Sequence, residues 1–92
     1  MSRKTENKAL VAAFLTLTTA DEVGRFLRDL LTANEIEEFG KRLRTAQLLT
    51  EKVPYSAIEA ETGLSSTTIA RVARWLHRGR GGYGLVLKRL TK

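Results

Sequence analysis

The side chains best suited to chemistry lie in one short stretch, where hydroxyl groups are followed by spaced arginines. They are Ser65, Ser66, Thr67, Thr68, Arg71, Arg74 and Arg78. On a helix that begins near residue 66, the hydroxyls would lie at the N-terminus and the arginines along the outer flank. Hydroxyl and guanidinium groups donate hydrogen bonds to phosphates and base edges. The stretch predicts a helix that contacts DNA in the major groove, and a helical hairpin with a solvated basic face is the alternative.

A glycine turn places a second, shorter helix in front of this one. Gly63 suits the left-handed conformation in which a chain leaves a helix, and Leu64 is an apolar turn residue that fits beneath both helices. Ser65 and Ser66 are candidate N-caps for the helix that follows. The apolar residues that would hold the two helices together are Ile58, Ile69, Val72 and Leu76. This arrangement is a helix-turn-helix.

Apolar residues at helical spacing predict six helices and no strand, so the expected fold class is all-α. The helices are predicted over residues 8–17, 20–31, 33–51, 56–63, 66–78 and 83–90. Thr32 with Glu35 and Ser56 with Glu59 match the capping-box pattern that opens a helix, and Thr19 is a further cap. Residues 1–7 are polar and are expected to form a flexible start. A chain of 92 residues without internal repeats is expected to form one domain, over residues 1–92.

Charge and composition restrict the class of partner. The chain has 16 Lys and Arg against 10 Asp and Glu, a net charge of +6. An excess of this size on a small chain favours a polyanionic partner, double-stranded nucleic acid before a membrane surface. The mid-chain cluster of Lys41, Arg42 and Arg44 is interpreted as a solvated face. Cysteine is absent, which excludes disulfides and thiolate metal sites.

Neither a membrane span nor a secretory leader is predicted. No run approaches the roughly 18 apolar residues of a membrane helix. Residues 9–17 follow Arg3 and Lys4 as in a leader, but this run is short, contains threonine and is followed directly by Asp21 and Glu22. We therefore expect a cytoplasmic protein with no membrane partner.

The sequence offers no candidate for catalysis, for a metal site or for a cofactor. His77 stands alone, with no cysteine or second histidine to complete a metal site. Serine, histidine and aspartate occur, but no spacing gathers them around a nucleophile. We expect neither an enzyme nor a bound cofactor.

Two adjacent leucine pairs indicate more apolar surface than one chain can bury. Leu30 with Leu31, and Leu48 with Leu49, cannot both face one narrow helix contact. From these leucine pairs we expect a homodimer, and a two-fold symmetric pair is the commonest arrangement. Separately, Gly40 lies inside the longest helix at some local cost, and a glycine there often lets another helix approach closely.

In their order along the chain, these segments resemble the tryptophan repressor family. The residues that carry the resemblance are LTANEIEEFGKRLRTAQLL at 31–49 and YSAIEAETGLSSTTIARVARWL at 55–76. The ending GRGGYGLVLKRL at 79–90 makes the YerC/YecD-type, Trp-repressor-related subgroup the closer likeness. The resemblance implies an all-helical, intertwined homodimer. Its helix-turn-helix would bind a palindromic operator, as expected of a transcriptional repressor.

The resemblance also implies a site for a small-molecule effector, in altered form. Thr32, Arg42 and Arg71 match the threonine and the two arginines of the family's co-repressor site. Where the family has a glycine and a small serine, this chain has Val72 and Trp75, which add bulk where the ligand's indole would lie. Free tryptophan is thus not expected as co-repressor, and no other effector is indicated. Trp75 is interpreted either as an ordinary core residue or as a plug in this vestigial pocket.

A second class of function stays open on the sequence alone. A helical adaptor module would use the helix-turn-helix only as a scaffold and would bind an acidic protein through its basic face. The two functions differ in where the arginines point. In a DNA-binding helix, Arg71 and Arg74 share a face with Ser66 and Thr67.

Overall fold

A computed structural model describes residues 3–91, except for the side chain of Arg3, and contains six α-helices and no strand within that range. The helices are α1 (Arg3–Leu15), α2 (Ala20–Leu30), α3 (Ala33–Thr50), α4 (Tyr55–Thr62), α5 (Ser66–Arg78) and α6 (Gly82–Leu90). The all-α prediction and its six helices are confirmed. Contacts divide the chain into two compact units, Met1–Ile36 and Glu37–Lys92. The prediction of one domain over residues 1–92 stays a prediction.

The first unit contains α1 and α2, which meet through an aromatic contact. The rings of Phe14 and Phe26 have centroids 5.2 Å apart and cross at 72°, an edge-to-face arrangement. α1 begins five residues earlier than the periodicity predicted, so residues 3–7 are helical instead of an irregular start. Polar residues without glycine or proline extend a helix readily, and Glu6 favours its first turn. Residues 1 and 2 of the predicted flexible start lie outside the described residues.

Side-chain caps fix the starts of α2 and α3. Thr19 caps α2 as predicted, and its hydroxyl accepts the N–H of Glu22 at 3.2 Å. Thr32 and Glu35 form the predicted capping box. The Thr32 hydroxyl accepts the Glu35 N–H at 3.1 Å, and the Glu35 carboxylate accepts the Thr32 N–H at 2.9 Å. Both caps satisfy backbone donors that a helix leaves free at its N-terminus.

The second capping box predicted from the sequence, Ser56 with Glu59, is wrong. α4 begins one residue earlier, at Tyr55, with Pro54 as its N-cap and no side-chain cap. The Pro54 carbonyl already accepts the N–H groups of Ala57 and Ile58, both at 3.1 Å. Ser56 therefore lies inside the first turn, where its backbone cannot take the extended conformation that a capping serine needs.

The second unit is built around a small apolar core. Leu48 of α3, Ile58 of α4, Leu64 of the turn and Ile69 of α5 form one buried cluster. Leu49 and Val53 pack against it, and Ala46 and Val72 are also buried. Leu64 thus lies beneath both helices of the helix-turn-helix, as the sequence predicted. This core fixes α5 against α3 and α4 and leaves its opposite face free.

Many large apolar side chains stay exposed on the helices of the single chain. They are Leu10, Val11, Phe14, Leu15, Leu30, Phe39, Tyr55, Trp75, Leu85, Val86 and Leu90. Among the described residues, no helix has the length and apolar character needed to cross a membrane. One chain therefore leaves a large share of its apolar helix faces uncovered by its own residues.

Candidate nucleic-acid interface

The turn between α4 and α5 has the backbone geometry that Gly63 predicts. Gly63 adopts a left-handed conformation with φ of 75°, and its N–H donates to the Glu59 carbonyl at 2.8 Å. The Thr62 hydroxyl donates to the Ile58 carbonyl at 2.8 Å and accepts the Leu64 N–H at 3.2 Å. These bonds satisfy the buried polar groups of the turn, so the direction in which α5 leaves it is well defined.

Two of the predicted DNA-binding hydroxyls act on the start of α5. Ser65 is the N-cap, and its hydroxyl accepts the Thr68 N–H at 3.2 Å. The same Ser65 hydroxyl donates to the Thr68 hydroxyl oxygen at 3.1 Å. Ser66 and Thr67 are exposed beside them. The structure therefore gives Ser65 and Thr68 a role in positioning the helix and leaves Ser66 and Thr67 as the more accessible hydroxyls.

α5 separates an apolar face from a polar face. Ile69 and Val72 are buried against the rest of the second unit, at 0% and 3% exposure. The helical repeat places Thr67, Arg71 and Arg74 on the side away from these two residues, and all three are exposed. Arg78 continues the same face at the end of the helix. The structure thus places Thr67 and the three arginines on one exposed face of α5.

The charge of α5 is not neutralised within the described chain. The helix contains three arginines and no acidic residue. No described carboxylate forms an ion pair with Arg71, Arg74 or Arg78. Unpaired guanidinium groups on one exposed face produce a local positive potential that favours phosphate groups.

The basic cluster of α3 behaves differently, because each of its members has an acidic partner. Lys41 pairs with Glu37 at 3.3 Å and Arg42 with Glu38 at 3.4 Å, both one helical turn away. Arg44 pairs with Glu61 of α4 at 2.5 Å and also donates to Gln47 at 3.1 Å. The pairs of Lys41 and Arg42 lie within α3 and fit the predicted solvated face. The pair of Arg44 with Glu61 connects α3 with the helix-turn-helix.

The residues matched to an effector site have separate structural roles in the single chain. Thr32 caps α3, and Arg42 lies over the ring of Phe39 at 5.6 Å while pairing with Glu38. Val72 is buried inside the second unit, whereas Arg71 on the same helix is exposed. The interpretation of Trp75 as an ordinary core residue is wrong for the single chain, since its side chain is 55% exposed.

Trp75 borders an open, largely apolar pocket of about 410 Å³ between the end of α5 and α6. The other lining residues are Leu43, Gly79, Arg80, Gly82, Tyr83 and Val86. Gly79 ends α5, and a Cβ atom there would overlap the backbone carbonyl of Trp75 and lie 3.3 Å from its ring. Arg42, Arg71 and Val72 do not line this pocket. Among the predicted effector residues of the second unit, only Trp75 lines this pocket.

Sequence reasoning missed two exposed residues that lie on α5 or just after it. Ala70 is exposed between Thr67 and Arg74 on α5, and Arg80 is exposed just after the helix. Helical spacing from Thr67 and Arg74 was sufficient to find Ala70, but a methyl group carries no polar signal.

Among the described residues, no group of three or more metal-ligating side chains is present.

Comparison with known proteins gives consistent results over nearly the whole chain. A family model described as Trp repressor protein matches residues 5–91. YerC of Bacillus subtilis, described as uncharacterized, is 41% identical over 90 residues, which cover 98% of this chain and 86% of YerC.

Solved structures of related proteins share this fold. A TrpR-like protein from Eubacterium eligens superposes with a TM-score of 0.91 at 37% identity, covering 97% of this chain and 92% of that chain. A Staphylococcus aureus protein assigned as a candidate Trp repressor superposes with a TM-score of 0.88 at 37% identity. That match covers 95% of this chain and 87% of the other.

Proposed function

Because the chain belongs to the Trp repressor family, we propose that it is a sequence-specific DNA-binding transcription regulator. In this proposal it acts as a repressor and binds a palindromic operator as a homodimer. The DNA-binding residues are those of α5 and its cap: Ser65, Ser66, Thr67, Thr68, Arg71, Arg74 and Arg78. The resemblance noted in the sequence is confirmed by the family match, which supports a DNA-binding regulator in general terms.

The observation that carries the proposal is the exposed face of α5. Thr67, Arg71 and Arg74 lie together there, and none of the three arginines of the helix has an acidic partner in the described chain. Hydroxyl donors near the N-terminus suit base edges, and arginines further along suit phosphates. An adaptor that binds an acidic protein would need the charge but not the hydroxyls in this position.

The homodimer is supported by apolar surface that the single chain does not cover. Leu15 of α1 at 80% and Leu90 of α6 at 64% are the most exposed of the many large apolar side chains that the described chain leaves uncovered. Apart from its chain neighbours and the backbone of its own helix, Gly40 of α3 has no described atom within 4 Å of the position its Cβ would occupy. The helix approach expected at Gly40 would therefore come from a second chain. A two-fold dimer would also present two copies of α5 to the two halves of a palindrome.

The proposed regulator does not use free tryptophan as co-repressor. Val72 and Trp75 stand where the family has two small residues, and the buried branched side chain of Val72 leaves no space at its position. Arg42, one of the two matched arginines, is already paired with Glu38. DNA binding would then be constitutive or controlled by another signal.

Selection from a random duplex pool, followed by gel retardation with nonspecific competitor, tests the proposed function. We expect enrichment of a two-fold symmetric sequence whose half-sites lie about 34–36 Å apart, one turn of DNA. The matched control is the same duplex with one half-site scrambled, which should bind more weakly. A protein that retards no duplex, or that retards all duplexes equally at every competitor concentration, contradicts the proposal. Binding of an acidic protein in that case would favour the adaptor.

A further inference from the structure

We infer that Ala70 of α5 reads the C5-methyl group of a thymine in each half-site; this inference rests on the proposed function. The starting observation is an apolar side chain in a polar setting. Ala70 is exposed on a helix face whose neighbouring exposed residues are Thr67, Arg71 and Arg74. The buried residues Ile69 and Val72 point to the other side of the helix.

The position of Ala70 along α5 determines what it can reach. It is the fifth residue of the helix Ser66–Arg78, within the first turn and a half. In helix-turn-helix proteins the N-terminal residues of the recognition helix contact base edges. Thr67 is three residues before Ala70 and Arg74 four residues after it, so both are its neighbours on the helix surface. A duplex that docks on Thr67 and Arg74 therefore covers Ala70 as well.

The chemistry of the major groove leaves one good partner for a methyl side chain. Base edges present hydrogen-bond donors and acceptors there, and the C5-methyl of thymine is the apolar group. Alanine placed over a polar edge would remove water from that edge without replacing its hydrogen bonds, which is unfavourable. Alanine placed over a thymine methyl removes apolar surface of both groups from water, which is favourable.

Thr67 offers a competing explanation, because a threonine side chain also carries a methyl group that can contact thymine. The two residues can be distinguished by removing each methyl separately. Ala70→Gly removes the methyl of Ala70, and Thr67→Ser removes that of Thr67 while keeping its hydroxyl. Ala73→Gly is the matched control, since Ala73 is half-buried on the same helix and incurs the same loss of helix propensity.

The experiment replaces each thymine of the selected operator in turn with deoxyuridine, which pairs with adenine but lacks the C5-methyl group. For every protein, the measured quantity is the ratio of the Kd on the substituted duplex to the Kd on the parent duplex. Both duplexes bind the same protein, so any effect of a substitution on folding cancels in the ratio. Ala70→Ser serves as a second variant if Ala70→Gly does not fold, because it keeps a Cβ atom but places a hydroxyl against the methyl.

For the wild-type protein we expect one thymine in each half-site at which the ratio is about fourfold, the effect of burying one methyl-sized group. The ratio should fall to about one for Ala70→Gly and should stay near the wild-type value for Thr67→Ser and Ala73→Gly. The inference is overturned if no thymine is sensitive, if Ala70→Gly keeps the effect, or if Thr67→Ser abolishes it. A selection that enriches no sequence overturns the proposed function together with the inference, whereas specific binding without a methyl effect overturns the inference alone.

Discussion

At the scale of single residues, two buried threonines of the second unit differ in whether their hydroxyl groups form hydrogen bonds. Thr62 is buried, and its hydroxyl both donates and accepts, which completes the turn before α5. Thr45 on α3 is fully buried, and its hydroxyl has no hydrogen-bond partner in the described chain. Since Thr45 is 0% exposed in one chain, a second chain cannot reach it either. The sequence alone does not distinguish the two, because the difference depends on which groups each hydroxyl faces after folding.

Thr45→Val should stabilise the protein, because it replaces an unsatisfied buried hydroxyl with a methyl group of similar size. The expected gain in the free energy of unfolding is about 1 kcal/mol. The matched control is Thr62→Val, which removes two hydrogen bonds and should lower the free energy of unfolding by about 1–2 kcal/mol. Urea unfolding at equal chain concentration measures both changes. A loss of stability in Thr45→Val as large as that in Thr62→Val would contradict this account.

At the scale of elements, local signals predicted most helices, and failures occurred where a neighbouring residue changed the local backbone. Thr32 with Glu35 and Ser56 with Glu59 are the same motif, but only the first is a cap. The difference arises because Pro54 takes the extended N-cap backbone, with φ of −64° and ψ of 152°, so that α4 begins at Tyr55, one residue before the serine. Long-range pairs were beyond prediction, as between Arg44 and Glu61, because the sequence does not tell which charges meet in the folded chain.

The carboxylate of Glu22, at the start of α2, makes the stability of the folded protein depend on pH. The pKa of Glu22 lies below its ordinary value of 4.5, chiefly because its carboxylate accepts a hydrogen bond from the backbone N–H of Thr18. The hydroxyl of Thr18 donates a second hydrogen bond to the same carboxylate. A group with a lowered pKa in the folded state contributes stability above its unfolded pKa. That contribution is lost as the pH falls through the folded value.

Glu22→Gln should remove this part of the acid dependence. The difference in Tm between the wild type and Glu22→Gln should be constant above about pH 5.5 and should shift against the wild type as the pH falls toward about 3.5. Thermal unfolding followed by circular dichroism at a series of pH values measures the difference. An equal Tm difference at both ends of this range would show that the carboxylate does not accept hydrogen bonds from Thr18 as described.

At the scale of the whole molecule, the exposed apolar helix faces predict association. Sedimentation equilibrium at micromolar protein should give about twice the chain mass of 10.3 kDa. Val11→Asp, which places a charge on an exposed apolar position of α1, should shift the protein toward the monomer. Lys8→Asp, an exposed polar position of the same helix, is the control and should remain dimeric. A wild-type protein that sediments at the mass of one chain would exclude the homodimer.

The predicted lack of a tryptophan response also concerns the whole molecule. Calorimetric titration with L-tryptophan should show no saturable binding up to sub-millimolar concentration, because the matched positions carry Val72 and Trp75. Trp75→Ser distinguishes a plug from a lost site. A plug predicts a destabilised variant with a new apolar cavity, and a lost site predicts little change. Saturable tryptophan binding that also strengthens DNA binding would contradict the prediction.

The family, the fold and the helix-turn-helix could be predicted from the sequence, because they depend on residue order and helical periodicity. Which of the charged residues form ion pairs could not be predicted. The sequence presents Arg42, Arg44, Arg71 and Arg74 as equivalent basic residues, but the structure pairs the first two with glutamates and leaves the last two unpaired. This difference distinguishes arginines that already have a carboxylate partner from arginines that have none within the described chain.

The most direct test of DNA binding by α5 is the salt dependence of duplex affinity for the wild type, Arg74→Ala and Arg25→Ala. Arg25 of α2 is the matched control, because it is an exposed arginine already paired with Asp21 at 3.7 Å. In Arg74→Ala, the slope of log Kd against log salt concentration should flatten by about one unit for each phosphate that no longer meets an arginine, hence by about two units per dimer. Arg25→Ala should keep the wild-type slope. An Arg74→Ala protein with intact helices by circular dichroism and an unchanged slope would contradict the account.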